Sequence, residues 1–212
     1  MAMFWQDFIT IALVHLVAVA SPGPDFAIVV RNSLAYGRRI AIFTSIGIGL
    51  GILIHVAYSL VGLSVVIKTT PWLYQAISYL AAAYLIYLAI GALKSGPPTA
   101  TSDKEQAAKI PVKSSISPKK ALWMGFLTNG LNPKATLFFL SLFTAFIDVD
   151  TPMGIKLTYG IYLAVATGMW FCFLSFILGS GRVTQLLGKK GYWLDRTMGV
   201  LLLGLAAKLV FA

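Results

Sequence analysis

Apolar residues fall in six long blocks along the chain, at about 4–30, 40–67, 72–93, 121–147, 156–179 and 193–211. Polar and charged residues collect in the stretches between them. The blocks are too long for strands, and a helix needs about 20 apolar residues to cross the hydrocarbon core of a bilayer. An open sheet leaves backbone groups unsatisfied in lipid. The pattern predicts an all-α integral membrane protein with six transmembrane helices.

Composition strengthens that reading. The 212 residues are 58% hydrophobic and 11% charged, with a mean hydropathy of +0.82. A soluble domain carries roughly 25% charged residues. So much apolar surface exceeds what one core of this size buries, so lipid must solvate most of the chain, with no room for a large soluble domain. The net charge of +10 forms no basic face, which argues against a nucleic-acid partner. The single cysteine, Cys172, lies in the apolar run 170–178 and excludes disulfide exchange within the chain. Ala18-Val19-Ala20 imitates a signal-peptide cleavage site. No Lys or Arg precedes the apolar run, so residues 4–30 are expected to stay as a first span.

Basic residues orient the spans. The first connection carries Arg31, Arg38 and Arg39; the third carries Lys94, Lys104, Lys109, Lys113, Lys119 and Lys120; the fifth carries Arg182, Lys189 and Lys190, with Arg196 at the edge of the last span. The second has only Lys68, and the fourth has Asp148 and Asp150 with Lys156 at its far edge. This alternation predicts a multi-pass protein with both termini in the periplasm or its equivalent. Residues 94–120 read as a polar cytoplasmic linker. They divide the chain into three-helix units at 1–93 and 121–212. Three spans is an odd number, so the second unit enters the membrane from the opposite side. That is the arithmetic of a 3+3 inverted repeat.

Each unit has a break in its first span. The first is Ser21-Pro22-Gly23-Pro24-Asp25. Its prolines remove backbone donors and clash with the preceding turn. The second is Asn129-Gly130-Leu131-Asn132-Pro133-Lys134. Asn132 suits an N-cap and Pro133 a first helical position, which predicts a half-helix from there through Phe146. Its N-terminus offers donors to a carboxylate. Irregular backbone at membrane depth is tolerated where it is buried in protein or lines a cavity. Asp25 and Lys134 bring one charge of each sign to the two breaks. An intramembrane charge costs about 2.5–3.5 kcal/mol on insertion scales and points to function; a structural salt bridge between the halves is the alternative.

These residues form the candidate substrate and coupling site, with His15, His55 and Asn32 as secondary candidates. A lone intramembrane histidine reads first as a hydrogen bond between helices and second as a proton carrier. Gly47 and Gly51 have small-xxx-small spacing, read as packing within the chain ahead of a homodimer. There is no zinc-type His-Glu-x-x-His and no nucleotide-binding glycine loop. Asp25 has no second intramembrane aspartate beside it in this reading. The chain is expected to be no enzyme, with no catalytic residue, metal or cofactor.

Val14-His15-Leu16-Val17 leading into Ser21-Pro22-Gly23-Pro24-Asp25-Phe26, with Asn132-Pro133-Lys134 after the linker, resembles the lysine exporter (LysE) superfamily. The similarity is greatest to its RhtB branch of homoserine and threonine exporters and covers nearly the whole chain. The resemblance implies export of small neutral amino acids from a bacterial inner membrane, driven by the proton motive force, with both break motifs in the functional centre. Asp25 is then expected to meet the substrate ammonium, and Lys134 and the half-helix N-terminus its carboxylate. Asp25 is also the candidate proton carrier. Export of leucine or a basic amino acid, a passive channel and a membrane scaffold are the alternatives.

Overall fold

Prolines set several helix starts. Pro24, Pro118 and Pro133 each stand first in a helix, where the missing N–H is one the helix would leave unpaired anyway. The computed structural model describes residues 2–21, 23–69, 71–96, 116–147, 151–178 and 181–211. Pro22, most of the expected linker (97–115) and the acidic pair Asp148 and Asp150 lie outside the described residues.

Among the described residues there are eight helices and no strand. They are α1 (Ala2–Ala20), α2 (Pro24–Tyr36), α3 (Arg38–Thr69), α4 (Pro71–Leu93), α5 (Pro118–Gly130), α6 (Pro133–Phe146), α7 (Met153–Ile177) and α8 (Gly181–Phe211). Arg38–Leu60 and Met153–Ile177 are long and apolar enough to cross a membrane. A third span results if α1 and α2, bent by 53° at the break, count as one. Ser78–Leu93 and Pro133–Phe146 are shorter apolar helices. The half-helix expected at Asn132 occupies the predicted range. The last helix differs: it begins at Gly181, well before the apolar block at 193. Hydropathy marks where lipid begins, whereas a helix continues through Gln185, Leu186, Lys189 and Lys190, residues that favour it.

Between α2 and α3 the chain turns at Gly37, whose φ of 83° is the left-handed value that favours glycine at a helix end. Its N–H donates to the Ser33 carbonyl at 3.1 Å. From there α3 packs on α5 and α7, and α4 packs on α8.

Apolar side chains cover the outside as well as the core around Ile52, Leu85 and Leu163. Leu13, Leu80, Val165, Met169 and Phe173 are exposed. His15, Ser45, His55, Thr167 and Ser175 are buried. Ser45 and Ser175 bond to each other at 3.1 Å between α3 and α7. Such interhelical bonds contribute about 0.6 kcal/mol each in a membrane bundle, so small residues that bring backbones together matter as much. A Cβ on Gly47 would strike the Leu122 carbonyl, and one on Gly125 would strike that of Thr44. The glycine face of α3 is therefore spent on α5 within the chain.

Candidate functional site

At the second break, Asn132 caps α6 with its own side chain: Oδ1 accepts from the Lys134 N–H at 3.0 Å. Pro133 has no N–H to offer, and Asn132 takes that of Lys134. Fewer donors are left at this helix start than its cap sequence suggested. What it presents to an anion is chiefly the Lys134 side chain.

At the first break, Gly23 caps α2 in extended conformation with no side-chain bond. Asp25 lies in the first turn of α2, where a negative charge suits the helix dipole. Its Oδ2 accepts from Asn129 Nδ2 at 2.9 Å and from Asn132 Nδ2 at 3.5 Å. Its Oδ1 is buried and accepts no hydrogen bond among the described residues. Leaving a buried charged acceptor unsatisfied is costly.

Both breaks open on one cavity of about 510 Å³, part of it open to the outside. Ser21, Gly23, Pro24, Asp25, Asn129, Asn132 and Lys134 line it. A Cβ on Gly23 would stand 3.5 Å from the Lys134 ammonium nitrogen, so Lys134 reaches across from α6 to the first break. The apolar remainder of the wall includes Ile52, Phe138, Phe139, Phe171 and Met198.

The chain matches the family model described as "LysE type translocator" over residues 16–212. It is 33% identical over 212 residues to the leucine efflux protein of Salmonella choleraesuis, covering 97% of this chain and 93% of that protein. It is 28% identical over 211 residues to the threonine efflux protein of Escherichia coli K12, covering 97% and 98%. The chain belongs to the LysE type translocator family. No solved structure matches it. As a LysE type translocator it is a multi-pass amino-acid efflux protein of a family of transporters, and its relatives bear out the resemblance seen in the motifs.

The translocator's secondary candidates separate. His15 lines the cavity and its Nε2 bonds Thr167 Oγ1 on α7 at 2.9 Å. His55 stands behind the wall. Its Nε2 lies 2.9 Å from the Asn129 carbonyl and its Nδ1 2.6 Å from the Tyr58 hydroxyl. A carbonyl only accepts, so Nε2 carries the proton and, in the neutral ring, Tyr58 donates to Nδ1. The His55 ring stacks on Phe139 at 5.8 Å. Asn32 is not brought to the site: it is fully buried between α2 and α3, donating to Thr44 Oγ1 at 2.9 Å.

One residue escaped the sequence reading. Asp195 of α8 accepts from Ser21 Oγ at 2.8 Å and from Ser95 Oγ at 2.9 Å. A second carboxylate thus meets the first break through Ser21, four residues before Asp25. Its sequence neighbour Arg196 suggested only an interface edge, and the contact joins residues 174 positions apart.

Proposed function

We propose that this chain is a six-span secondary transporter, built as a 3+3 inverted repeat, that exports small neutral amino acids of the threonine and homoserine type from a bacterial inner membrane by exchange with protons. The observation that carries the reading is a carboxylate, Asp25, and an ammonium, Lys134, on the wall of one cavity between the two breaks. An amino acid is a zwitterion. Its ammonium pairs with Asp25, and its carboxylate pairs with Lys134. With both charges so used, His15 is the other ionisable group on the wall and is bonded to Thr167. That favours a substrate with an uncharged side chain.

The repeat is supported by the order of elements. In each unit a short helix, a break and a proline-initiated helix precede two more helices. Asp25 and Lys134 hold equivalent places, each directly after the proline that opens its helix. Equivalent helices also pair across the units, α3 with α7 and α4 with α8. Rocking of one unit against the other would expose the site to each side in turn. Residues 94–120 would be the cytoplasmic link between units 1–93 and 121–212, with both termini periplasmic. A zwitterion carries no net charge, so the membrane potential alone does not drive it; a coupled proton supplies about 2.3 kcal/mol per 100 mV. Asp25 is the proposed carrier.

A second substrate reading rests on the apolar wall. Ile52, Phe138, Phe139, Phe171 and Met198 would accept a leucine side chain, and a leucine efflux protein is among the relatives. Counterflow of radiolabelled threonine, homoserine, serine, leucine and lysine in proteoliposomes tests both. Saturable counterflow of a neutral member is expected. Absence of counterflow, or a flux indifferent to the proton gradient, would favour a scaffold or a channel.

A further inference from the structure

The start of α6 is organised by Asn132 and Pro133 themselves, but the end of α5 is not. Helix ends leave carbonyls without partners, and at membrane depth such a carbonyl needs a donor from the protein. Asn129 stands in the last turn of α5. Its carbonyl accepts from the Asn132 N–H at 2.8 Å, within the break, and from His55 Nε2 at 2.9 Å. The second donor comes from α3, in the first half of the chain.

Two successive turns of α3 receive Asn129. Gly51 and His55 are four residues apart and so share one face of the helix. His55 holds the Asn129 carbonyl, and Gly51 leaves room for the Asn129 side chain. A Cβ on Gly51 would stand 2.8 Å from Asn129 Oδ1 and 2.9 Å from its Cβ, closer than side-chain carbons come. His55 is in turn fixed. It is fully buried, its Nδ1 is bonded to the Tyr58 hydroxyl, and its ring stacks on Phe139 with 8° between the planes. Both ring nitrogens are therefore engaged behind the wall. The side chain of Asn129 faces the site: Nδ2 donates to Asp25 Oδ2 at 2.9 Å, the shorter of the two asparagine bonds to that carboxylate. Asn129 and Asp25 line the cavity, whereas His55 is not in its lining.

We propose that His55 is a positioning residue for transport and not a proton carrier: it holds the Asn129 backbone against α3 so that the Asn129 amide stays aimed at Asp25. This rests on the assignment of Asp25 to the substrate's ammonium. Without the His55 donor, the Asn129 carbonyl keeps only the Asn132 N–H, and the amide loses its register with Asp25. The carboxylate that meets the ammonium is then no longer held in one place. The loss falls on ligands that carry an ammonium. Reading of the carboxylate end, by Lys134 on α6, stays as it was. A general loosening of the cavity would instead weaken all ligands alike.

The test is counterflow of radiolabelled threonine and leucine in proteoliposomes, resolved into KM and maximal rate, with inhibition by the amide and the N-acetyl derivative of the same amino acid. It compares the wild type with three variants, each checked for yield and monodispersity in detergent. His55→Leu removes the donor. His55→Asn has an amide too short to reach the Asn129 carbonyl. His55→Gln returns an N–H to the place of Nε2. His55→Leu and His55→Asn are expected to raise KM at least fivefold with the maximal rate within about threefold. The advantage of the zwitterion over the N-acetyl form should shrink by a similar factor, while its advantage over the amide stays within about twofold of wild type. His55→Gln should recover most of the affinity and still accumulate substrate on an imposed proton gradient. An unchanged KM in a well-folded His55→Leu or His55→Asn overturns the proposal. So does a raised KM that leaves the advantage over the N-acetyl form unchanged, or a His55→Gln as impaired as His55→Leu. A His55→Gln that exchanges substrate normally but has lost proton-driven accumulation also overturns it, by making His55 the proton carrier. If His55→Leu and His55→Asn both fail to fold, His55→Gln decides: wild-type KM with intact accumulation supports the proposal, and a KM raised fivefold or more overturns it. A wild type that does not prefer the zwitterion to the N-acetyl form would overturn the assignment of Asp25 itself, a separate failure that takes this proposal with it.

Discussion

The two breaks do similar work by different means. The second is organised locally: Asn132 caps α6 through Oδ1 and Pro133 opens the helix, all within three consecutive residues. The first has a glycine cap without a side-chain bond and is held from afar, by Asp195 through Ser21. Their charges differ in the same sense. Asp25 sits at a helix N-terminus, where the dipole favours it, whereas Lys134 sits at one that opposes it. A lysine there needs a carboxylate on the same wall, and Asp25 provides it. Both breaks announce themselves by their prolines, whereas the distant tie of the first, Asp195 to Ser21, leaves no mark in the local sequence.

The largest expected effect is on the shared charge. Asp25→Asn should reduce export at least a hundredfold while leaving membrane insertion intact, as followed by counterflow and by yield from the membrane fraction. Substantial retained export would remove Asp25 from the mechanism. Exchanging the charges, Asp25→Lys with Lys134→Asp, sharpens the comparison further. The environment of residue 25 is built from amide donors, which a lysine cannot use, so export is expected to remain at background in the same assay. Recovery of export would mean that the two breaks are interchangeable.

Smaller effects should separate local from distant support. Asn132→Ala loses the α6 cap and the longer contact to Asp25, and should cost about 1 kcal/mol of stability, read as a fall in Tm of the detergent-solubilised protein. Gly23→Ala should cost less than Asn132→Ala. No side-chain cap is lost, the extended backbone suits any residue, and the new Cβ meets the Lys134 ammonium at an ordinary 3.5 Å. A Gly23→Ala variant less stable than Asn132→Ala in the same melt would contradict the assignment of local support to the second break alone.

The legible parts of the fold were those with local chemistry. Asn132-Pro133 announces a helix start, and α6 runs from Pro133 to Phe146 as the cap implies. The glycines of α3 announce close packing, and the Leu122 carbonyl of α5 and the Ala164 carbonyl of α7 are what Gly47 and Gly49 approach. His15 and His55 were readable as helix-to-helix hydrogen bonds, and Thr167 and Asn129 are their partners. The start of α8 was not legible, because the basic and polar residues before 193 lower hydropathy without ending a helix. Asn32 is a secondary candidate in the sequence, yet it packs away from the cavity and its amide N–H donates to Thr44 of α3. Asp195 gave no signal at all: its meaning comes from Ser21 and Ser95, far away in the chain.

Opposite charges from two interrupted helices, offered together to one small molecule, make a demand on that molecule's chemistry. Inhibition of wild-type counterflow by a neutral amino acid, by its amide and by its N-acetyl derivative tests this demand directly. The intact zwitterion should compete strongly, while the amide, lacking a carboxylate for Lys134, and the N-acetyl form, lacking an ammonium for Asp25, should each compete at least tenfold more weakly. Equal competition by all three would show that the cavity between the breaks does not read both ends of the substrate.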